Sequence, residues 1–262
     1  MKSAGGRNAP LQDRPETVPP RVSVVIRCYQ QGRYLAEAVG SVRAQTRPAD
    51  EIVVVDDGCT DQTADVLAAL AADGPLVVVR HAVPQGPAAT FNAGVAASSG
   101  DLVLALDADD ALSPRYLELT EQAVLGGADL AYGAVERFGS EESFTPARAF
   151  DADELGVENF VHISTLFRRS IFDATGGFRS DLDHLSLEDW EFWVNAVEHG
   201  ATGRAVDGCW LRYRRHATGS RNTIPRSVAL RVHLRVHRLH PGVVTWRHLA
   251  RWAVRSIRRN LP

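Results

Sequence analysis

Short apolar runs alternate with helix-like segments over the first hundred residues of the chain. Four runs are typical of strands buried on both faces of a parallel sheet: V-S-V-V-I (22–26), E-I-V-V-V-D (51–56), L-V-V-V (76–79) and D-L-V-L-A-L (101–106). The segments between them carry apolar residues at three- and four-residue spacing, the pattern of amphipathic helices. This alternation predicts an α/β fold with a ligand crevice beyond the carboxyl ends of the strands.

The pattern is less regular in the second half of the chain. It predicts a helix over 114–125, strands over 131–138, a loop-rich insertion over 139–160 and a helix over 188–199. The stretch L-R-V-H-L-R-V-H (230–237) alternates like a strand but also carries an apolar stripe at four-residue spacing. We favour a helix there.

Three parts of the chain differ in composition. Residues 1–20 are rich in Gly and Pro and predict a disordered leader, 21–220 form the main domain, and 221–262 form a basic helical C-terminal extension.

The last predicted helix has two different sides. One carries Trp246, Leu249, Ala250, Ala253 and Ile257, and the other carries Arg247, Arg251, Arg255, Arg258 and Arg259. We favour docking of the apolar side on the domain, with contact of 245–259 with an anionic membrane as the alternative.

Composition and charge narrow the class of protein. Among 262 residues there is no apolar run of 18, no segment typical of a signal peptide, and no close-spaced cysteine pair. These features predict a cytoplasmic protein, with peripheral contact at the inner face of the membrane as the alternative.

Charge is distributed unevenly along the chain. Residues 1–200 hold 15 basic and 31 acidic side chains, whereas residues 201–262 hold 14 basic side chains and 1 acidic side chain. The tail is therefore expected to meet an anionic partner, and its few aromatics make nucleic acid unlikely as that partner.

Three carboxylates, Asp107, Asp109 and Asp110, follow directly after the fourth apolar run. Such a cluster is relieved of its repulsion by a hard divalent cation, Mg²⁺ or Mn²⁺, bound through oxygen ligands. These ions usually complete their shell with water and phosphate oxygens, so the cluster predicts a phosphorylated ligand. The alternative is a solvated turn in which an aspartate caps the next helix.

Several short motifs occur in a characteristic order. They are R-V-S-V-V-I-R-C-Y-Q-Q-G, E-I-V-V-V-D-D-G-C-T-D, N-A-G-V-A-A-S-S-G-D and L-D-A-D-D, followed by F-R-R-S-I-F-D-A-T-G-G-F and L-E-D-W-E-F-W. This series, over about residues 21–220, resembles the family-two inverting glycosyltransferases of GT-A fold. The resemblance implies a Rossmann-like, nucleotide-binding and mostly parallel sheet flanked by helices. It also implies Mn²⁺ or Mg²⁺ as cofactor and a nucleotide-sugar donor as partner.

The resemblance assigns donor-binding roles to matching positions. Tyr29 would lie against the base, Asp57 would accept a hydrogen bond from uracil N3–H, and Asp107 would face ribose or sugar. Arg27 stands where many relatives carry Pro or Thr, so it would contact phosphate or ribose, or else indicate a nucleotide other than uridine. The metal ligands would be Asp109, Asp110 and His216, and the diphosphate contacts would be Arg214 and Arg215.

The same resemblance assigns the catalytic and acceptor side. Asp189 would be the general base, with Glu188 beside it, and Gly176, Gly177 and Trp190 would border the acceptor or donor sugar. Simpler explanations exist for several of these residues. Two acids favour any helix N-terminus, paired glycines end helices, Trp190 and Tyr29 can be core aromatics, and His216 can be an ordinary surface histidine.

The function expected from these residues is metal-dependent inverting transfer of a sugar, most simply from a UDP-sugar, to an acceptor hydroxyl. The acceptor is unknown, and the product could be a polysaccharide, a lipid-linked oligosaccharide or a small glycoside. Two alternatives remain open. One is a sugar-1-phosphate nucleotidyltransferase, although C-Y-Q-Q-G-R-Y is a poor phosphate loop. The other is a non-catalytic protein that binds sugar nucleotides or glycans.

Overall fold

The computed structural model describes residues 19–185, 188–217 and 226–258. The predicted leader over residues 1–20 lies outside this description apart from its last two residues, and so does the predicted domain boundary at 220. The described residues form a nine-stranded sheet. Its strands are β1 (Val22–Cys28), β2 (Glu51–Asp56), β3 (Val77–Arg80), β4 (Leu102–Asp107), β5 (Ala111–Leu112), β6 (Leu130–Gly139), β7 (Ser143–Thr145), β8 (Leu166–Arg168) and β9 (Gly203–Arg215).

The four strands that arise from the first apolar runs are parallel neighbours in the order β3-β2-β1-β4. Beyond β4 the sheet continues with β8, β6, β9 and β5, and β8 pairs antiparallel with both β4 and β6. In the register of this sheet, Arg27 of β1 lies opposite Asp107 of β4. The predicted α/β fold, a mixed and mostly parallel sheet flanked by helices, is confirmed.

Helices cover both faces of the sheet. They are α1 (Gly32–Arg43), α2 (Thr63–Asp73), α3 (Pro87–Ala97), α4 (Tyr116–Leu125), α5 (Ala152–Leu155), α6 (Arg169–Thr175), α7 (Glu188–Glu198), α8 (Arg226–Leu239) and α9 (Trp246–Arg258). Alternate residues of β1 enter two separate cores because side chains in a strand point to opposite faces. Val24 and Ile26 pack with α1, α2 and α4, whereas Val25 packs with α3, α7 and α8.

Gly94 allows α3 to lie directly against the sheet. A Cβ at this position would come within 2.2 Å of Val25 Cγ1 and 2.9 Å of Val55 Cγ2. No side chain larger than hydrogen fits there without moving the helix, because packed interiors leave no spare volume. The close approach fixes where the N-terminus of α3 stands above the carboxyl ends of β1 and β2.

Some elements differ from the sequence prediction. The segment 131–138 belongs to one long strand, β6, and the insertion over 139–160 contains β7 and α5. Residues 230–237 lie within helix α8, as we favoured. Residues 210–215 are part of β9, and residues 218–220 lie outside the described residues.

The last helix packs on the domain mainly through a different side from the one we expected, a side that holds Leu249 and the partly buried Trp252 as well as Arg251 and Arg255. Arg251 and Arg255 face the domain and form ion pairs with Glu154 of α5. Leu249 is buried, but Trp246 is 68% exposed, and Ala250 and Ala253 are exposed as well. The prediction that the apolar side docks on the domain is therefore wrong. Within the described parts of the chain, no helix is long and apolar enough to cross a membrane.

Candidate active site

A cavity of about 500 Å³ opens at the carboxyl ends of β1, β2 and β4. Its position is the one expected for a ligand crevice in a fold of this class. Eight residues singled out from the sequence line it: Arg27, Tyr29, Asp57, Asp107, Asp109, Arg214, Arg215 and His216. The structure thus brings together residues from four separate segments of the chain.

Arg27 joins two carboxylates that come from opposite sides of the site. Its Nε and Nη2 donate to the two carboxylate oxygens of Asp107, and its Nη1 donates to Glu188 Oε1 at 3.2 Å. Arg27 is only 9% exposed and Glu188 only 3% exposed, so both charges are largely removed from water. The guanidinium reduces the repulsion among the clustered carboxylates, because it supplies a positive charge between them.

Asp109 and His216 form the second pair within the cluster. His216 Nε2 lies 2.7 Å from Asp109 Oδ2, and the His216 ring lies beside Tyr34 at a centroid distance of 5.5 Å. Burial and the nearby Asp107 carboxylate raise the pKa of Asp109, because both disfavour its negative charge. A cation at this point would relieve that electrostatic cost.

The three aspartates could together hold a divalent metal ion. One oxygen from each of Asp107, Asp109 and Asp110 can be chosen so that all three lie within 4.8 Å of one another. Carboxylate oxygens, with an imidazole beside them, suit Mn²⁺ or Mg²⁺. The donor set therefore fits the implied ion, and Asp107 and Asp109 also line the cavity.

Asp110 and Arg214 have clear structural roles in addition to the predicted ones. Asp110 is 2% exposed, and its Oδ1 accepts the backbone N–H of Arg214 at 2.8 Å. The Arg214 guanidinium donates to the Asp109 carbonyl oxygen at 2.9 Å and pairs with Glu37. It also lies over the rings of Tyr34 and Phe138. These contacts attach the end of β9 to the acidic turn.

Arg215 is held more loosely than Arg214. Its Nε pairs at 3.3 Å with Glu141, whose side chain is 54% exposed. An ion pair with so exposed a partner contributes little to stability, so an incoming anion can compete for the guanidinium.

Asp57 organises the opposite wall of the cavity. Its carboxylate accepts hydrogen bonds from His81 Nδ1 at 2.7 Å, the Gln85 N–H at 2.8 Å and the Gly86 N–H at 3.0 Å. Burial opposes ionisation of Asp57, but these hydrogen bonds outweigh it and lower the pKa. Tyr29 stands at the rim with 53% of its surface exposed, so it is not a core aromatic.

Asp189 lies at the first turn of α7, next to Glu188. Burial and the neighbouring Glu188 carboxylate raise the pKa of Asp189 to about 7, although the Trp190 N–H and Arg27 act in the other direction. A carboxylate with this pKa is suited to accept a proton near neutral pH. Among the described residues, no hydrogen-bond donor reaches Glu188 Oε2, although that oxygen is buried.

The structure does not place the predicted sugar contacts at the cavity wall. Trp190 is 1% exposed, and its indole N–H donates to the Leu155 carbonyl oxygen at 2.7 Å. The prediction that Trp190 borders the sugar is contradicted, because its ring belongs to the core beneath α7. Gly176 ends α6 in a left-handed conformation, and Gly177 packs against Asn92 and Phe172. Neither glycine lines the cavity.

Sequence reasoning missed the segment that connects β3 to α3. His81, Pro84, Gly86 and Pro87 lie on or behind the cavity wall, and Asp183 accepts the Ala88 N–H at 3.1 Å beside them. Gly86 has φ +90, and a Cβ there would lie 2.6 Å from Asp183 Oδ2. The signal was the Gln-Gly-Pro at the start of a helix pattern, which predicts a special backbone turn.

Residues 23–183 match the family described as glycosyl transferase family 2. A PGL/p-HBAD biosynthesis glycosyltransferase of Mycobacterium bovis is 29% identical over 187 residues, which cover 70% of this chain and 72% of that protein. The matched part of the chain spans 72% of the length of that Mycobacterium bovis protein but only 31% of the length of another curated relative.

Two solved structures share the fold. TarS 1-349 of S. aureus in complex with UDP-GlcNAc superposes with a TM-score of 0.65 at 18% identity, covering 82% of this chain and 66% of that one. The mannosyltransferase PcManGT of Pyrobaculum calidifontis, in complex with GDP-Man and Mn²⁺, gives a TM-score of 0.59 at 23% identity, covering 88% and 66%. At these identities the likeness shows the fold alone.

The sheet has the GT-A fold of the two superposed structures, and its acidic cavity lies at the carboxyl ends of the strands. The chain belongs to glycosyl transferase family 2.

Proposed function

We propose that the chain is a metal-dependent, inverting glycosyltransferase that moves a sugar from a UDP-sugar to an acceptor hydroxyl. The observation that carries the proposal is the double contact of Arg27 with Asp107 and Glu188. These two contacts connect the first turn of α7, which carries the candidate base Asp189, to the acidic turn at the mouth of the donor cavity. Groups that would act on opposite sides of one sugar carbon are therefore held in a single ion-paired cluster.

The cavity offers contacts for each part of a nucleotide diphosphate. The exposed face of Tyr29 can stack on the base. Asp57 carries the acceptor oxygens for an imide N–H, which uracil presents and which a base with only acceptors there would lack. Arg215 can pair with the diphosphate. UDP-GlcNAc and GDP-Man bound to the two related structures support a nucleotide-sugar donor of this kind.

The chemistry requires a base on the face of the sugar opposite the leaving diphosphate. Asp189 would take the proton of the acceptor hydroxyl as the new bond to the anomeric carbon forms and the bond to the diphosphate oxygen breaks. Glu188, whose Oε2 has no donor among the described residues, would accept a hydrogen bond from a sugar hydroxyl. Mn²⁺ or Mg²⁺, held by Asp109 with Asp107, Asp110 and His216, would neutralise charge on the departing diphosphate.

The cysteines bear on the compartment, and the acceptor is proposed only as a chemical class. Cys28, Cys59 and Cys209 are free thiols, which suits a reducing cytoplasm, where nucleotide sugars are used. The acceptor is expected to be a growing glycan, a lipid-linked sugar or a small glycoside. Gly176 and Gly177 remain candidates for the acceptor side, in the loop that follows α6.

A calorimetric panel tests the proposal. UDP, GDP and dTDP would each be titrated into wild-type protein with and without Mn²⁺, and into Asp109→Asn. We expect UDP to bind best, with metal assistance that Asp109→Asn removes. The matched control is Asp65→Asn, an exposed aspartate on α2, which should bind as wild type does.

The products distinguish the enzyme classes. Release of UDP from a UDP-sugar in the presence of acceptor supports the transferase, whereas release of pyrophosphate from a nucleoside triphosphate supports a nucleotidyltransferase. Equal metal-assisted binding by wild type and Asp109→Asn would contradict the proposed metal site.

A further inference from the structure

The two C-terminal helices carry large apolar side chains on their outer surface. Trp246 is 68% exposed and Val254 50% exposed on α9, and Leu230 is 44% exposed on α8. Ala250 and Ala253 of α9 are exposed with them. We call these five residues the outer apolar face. On α9 its members recur at three- and four-residue spacing, so they occupy one side of the helix.

Polar contacts on the inner side hold α9 in this orientation. Arg251 pairs with Asp153 and Glu154, Arg255 pairs with Glu154 at 2.9 Å, and His248 Nε2 lies 2.8 Å from Asp153 Oδ1. An amphipathic helix that covers a protein core normally buries its apolar side, but among the large apolar side chains described in α9 only Leu249 is buried and Trp252 partly buried. The arrangement therefore leaves an apolar side that the described part of the chain does not cover.

The outer apolar face includes residues of both C-terminal helices. The ring of Trp246 lies 4.3 Å from that of His237 on α8, measured between centroids. Leu230 lies seven residues before His237, which places both on the same side of α8, about two helical turns apart. Deeper between the helices, Trp252 stacks on His233 at 4.2 Å.

Positive charge surrounds this surface. Residues 226–258 contain eight arginines and no aspartate or glutamate. Arg231, Arg238 and Arg247 are exposed, and each lies within one or two helical turns of a member of the outer apolar face. A partner that covers the face must accept apolar side chains and must be anionic around them. An anionic lipid surface has both properties, because acyl chains lie directly beneath its charged head groups.

We propose that the outer apolar face docks on an anionic membrane surface, with Trp246 and Val254 inserted at the level of the head groups and the arginines paired with lipid phosphates. The inference does not depend on the chemistry of the cavity. It would place a peripheral enzyme against the bilayer without a membrane-spanning segment in the described chain.

Vesicle flotation with the full chain tests the proposal. The probes are vesicles of phosphatidylcholine alone and of phosphatidylcholine mixed with phosphatidylglycerol. Wild type should float with the mixed vesicles, and added salt should weaken the binding because the arginine contribution is screened. The double variant Trp246→Glu/Val254→Glu should bind the mixed vesicles at least about tenfold more weakly than wild type, since two inserted apolar groups are lost.

The matched control changes two exposed apolar residues elsewhere, Leu125→Glu/Phe144→Glu, which are each 58% exposed. It should float as wild type does. A second variant, Arg238→Gln/Arg247→Gln, keeps the apolar residues and should lose preference for the anionic vesicles. Circular dichroism and thermal melting check that each variant folds and should be unchanged in all of them.

Three results would overturn the proposal. One is failure of wild type to float with either vesicle, and another is a loss of binding by the control as large as that of the Trp246 and Val254 variant. Alternatively, wild type could form dimers that only the Trp246 and Val254 variant disrupts, with no vesicle binding, which would assign the face to a second copy of the chain.

Discussion

His216 Nε2 lies 2.7 Å from Asp109 Oδ2, although the two residues are 107 positions apart in the sequence. One follows the long strand β9, and the other lies in the turn after β4. Arg214 strengthens the connection, because its N–H and its guanidinium both contact the acidic turn. The geometry of the proposed metal site therefore depends on the end of β9 as much as on the aspartates.

Replacing His216 should weaken metal binding. We expect His216→Ala to bind Mn²⁺ in the presence of UDP about 10- to 100-fold more weakly, as when a group that orients or completes a metal site is removed. Calorimetric titration with Mn²⁺ measures the loss. His199→Ala, which removes an exposed histidine just after α7, is the control. Equal affinities of all three proteins would show that His216 has no part in the metal site.

The activity should depend on the ionisation of Asp189. Because burial and Glu188 raise its pKa to about 7, a general base at this position is protonated and inactive at lower pH. The kcat/KM should rise with pH, with a midpoint near 7, and Asp189→Asn should lower it by about 10²- to 10⁴-fold. A pH–rate profile of wild type checks the midpoint. An active Asp189→Asn enzyme with an unchanged profile would assign the base to another residue.

Removing Arg27 should destabilise the whole cluster. Arg27→Met leaves Asp107 and Glu188 buried without their shared cation, which should cost about 3–5 kcal/mol of unfolding free energy. Adding Asp107→Asn should restore part of that loss, because one of the stranded charges is then gone. Urea unfolding of the two single variants and the double variant measures the coupling. Strictly additive losses would mean that the Arg27–Asp107 contact contributes nothing.

His240 should make stability depend on pH. Its ring nitrogens lie 2.8 Å from Glu191 and 2.6 Å from Glu198. Burial disfavours the protonated ring, but the two glutamates outweigh burial and raise the pKa. A raised pKa in the folded state adds stability that is fully present below about pH 6.5, the ordinary histidine value, and is lost as pH rises through the folded value.

The variant His240→Gln should therefore lose more stability near pH 5.5 than near pH 8.5, about one unit below and two units above the ordinary value. Thermal melting at the two pH values measures the difference, with His199→Gln as the control. The same loss at both values would show that His240 contributes only through packing.

The sequence was sufficient for the parts of the fold that depend on local pattern. The parallel strands follow from β-branched runs such as 51–56, and α8 follows from the spacing of Val228, Val232 and Val236. The cluster at Asp107 followed from charge repulsion alone. These features are encoded by neighbouring residues, so one sequence is enough to read them.

Other features depend on contacts between distant segments and could not be predicted from the sequence. The burial of Trp190 depends on the Leu155 carbonyl oxygen, and the inward side of α9 depends on acids in α5. Helical periodicity shows that α9 has two different sides, but it does not show which one meets the protein. Equally, nothing local to Asp57 indicates that His81 and the Gly86 N–H will bind its carboxylate.

Gly94 has a consequence for donor recognition, although it touches neither the cavity nor the acids. Since α3 rests against Val25 without an intervening side chain, the height of the helix sets where the Gly86 N–H stands relative to Asp57. A methyl group at position 94 would clash with Val25 and Val55, and relief of the clash would shift α3 or those two side chains. In the proposed enzyme, a shift of α3 would move the Gly86 N–H relative to Asp57, the residue proposed to bind the base, although position 86 lies more than two helical turns from position 94.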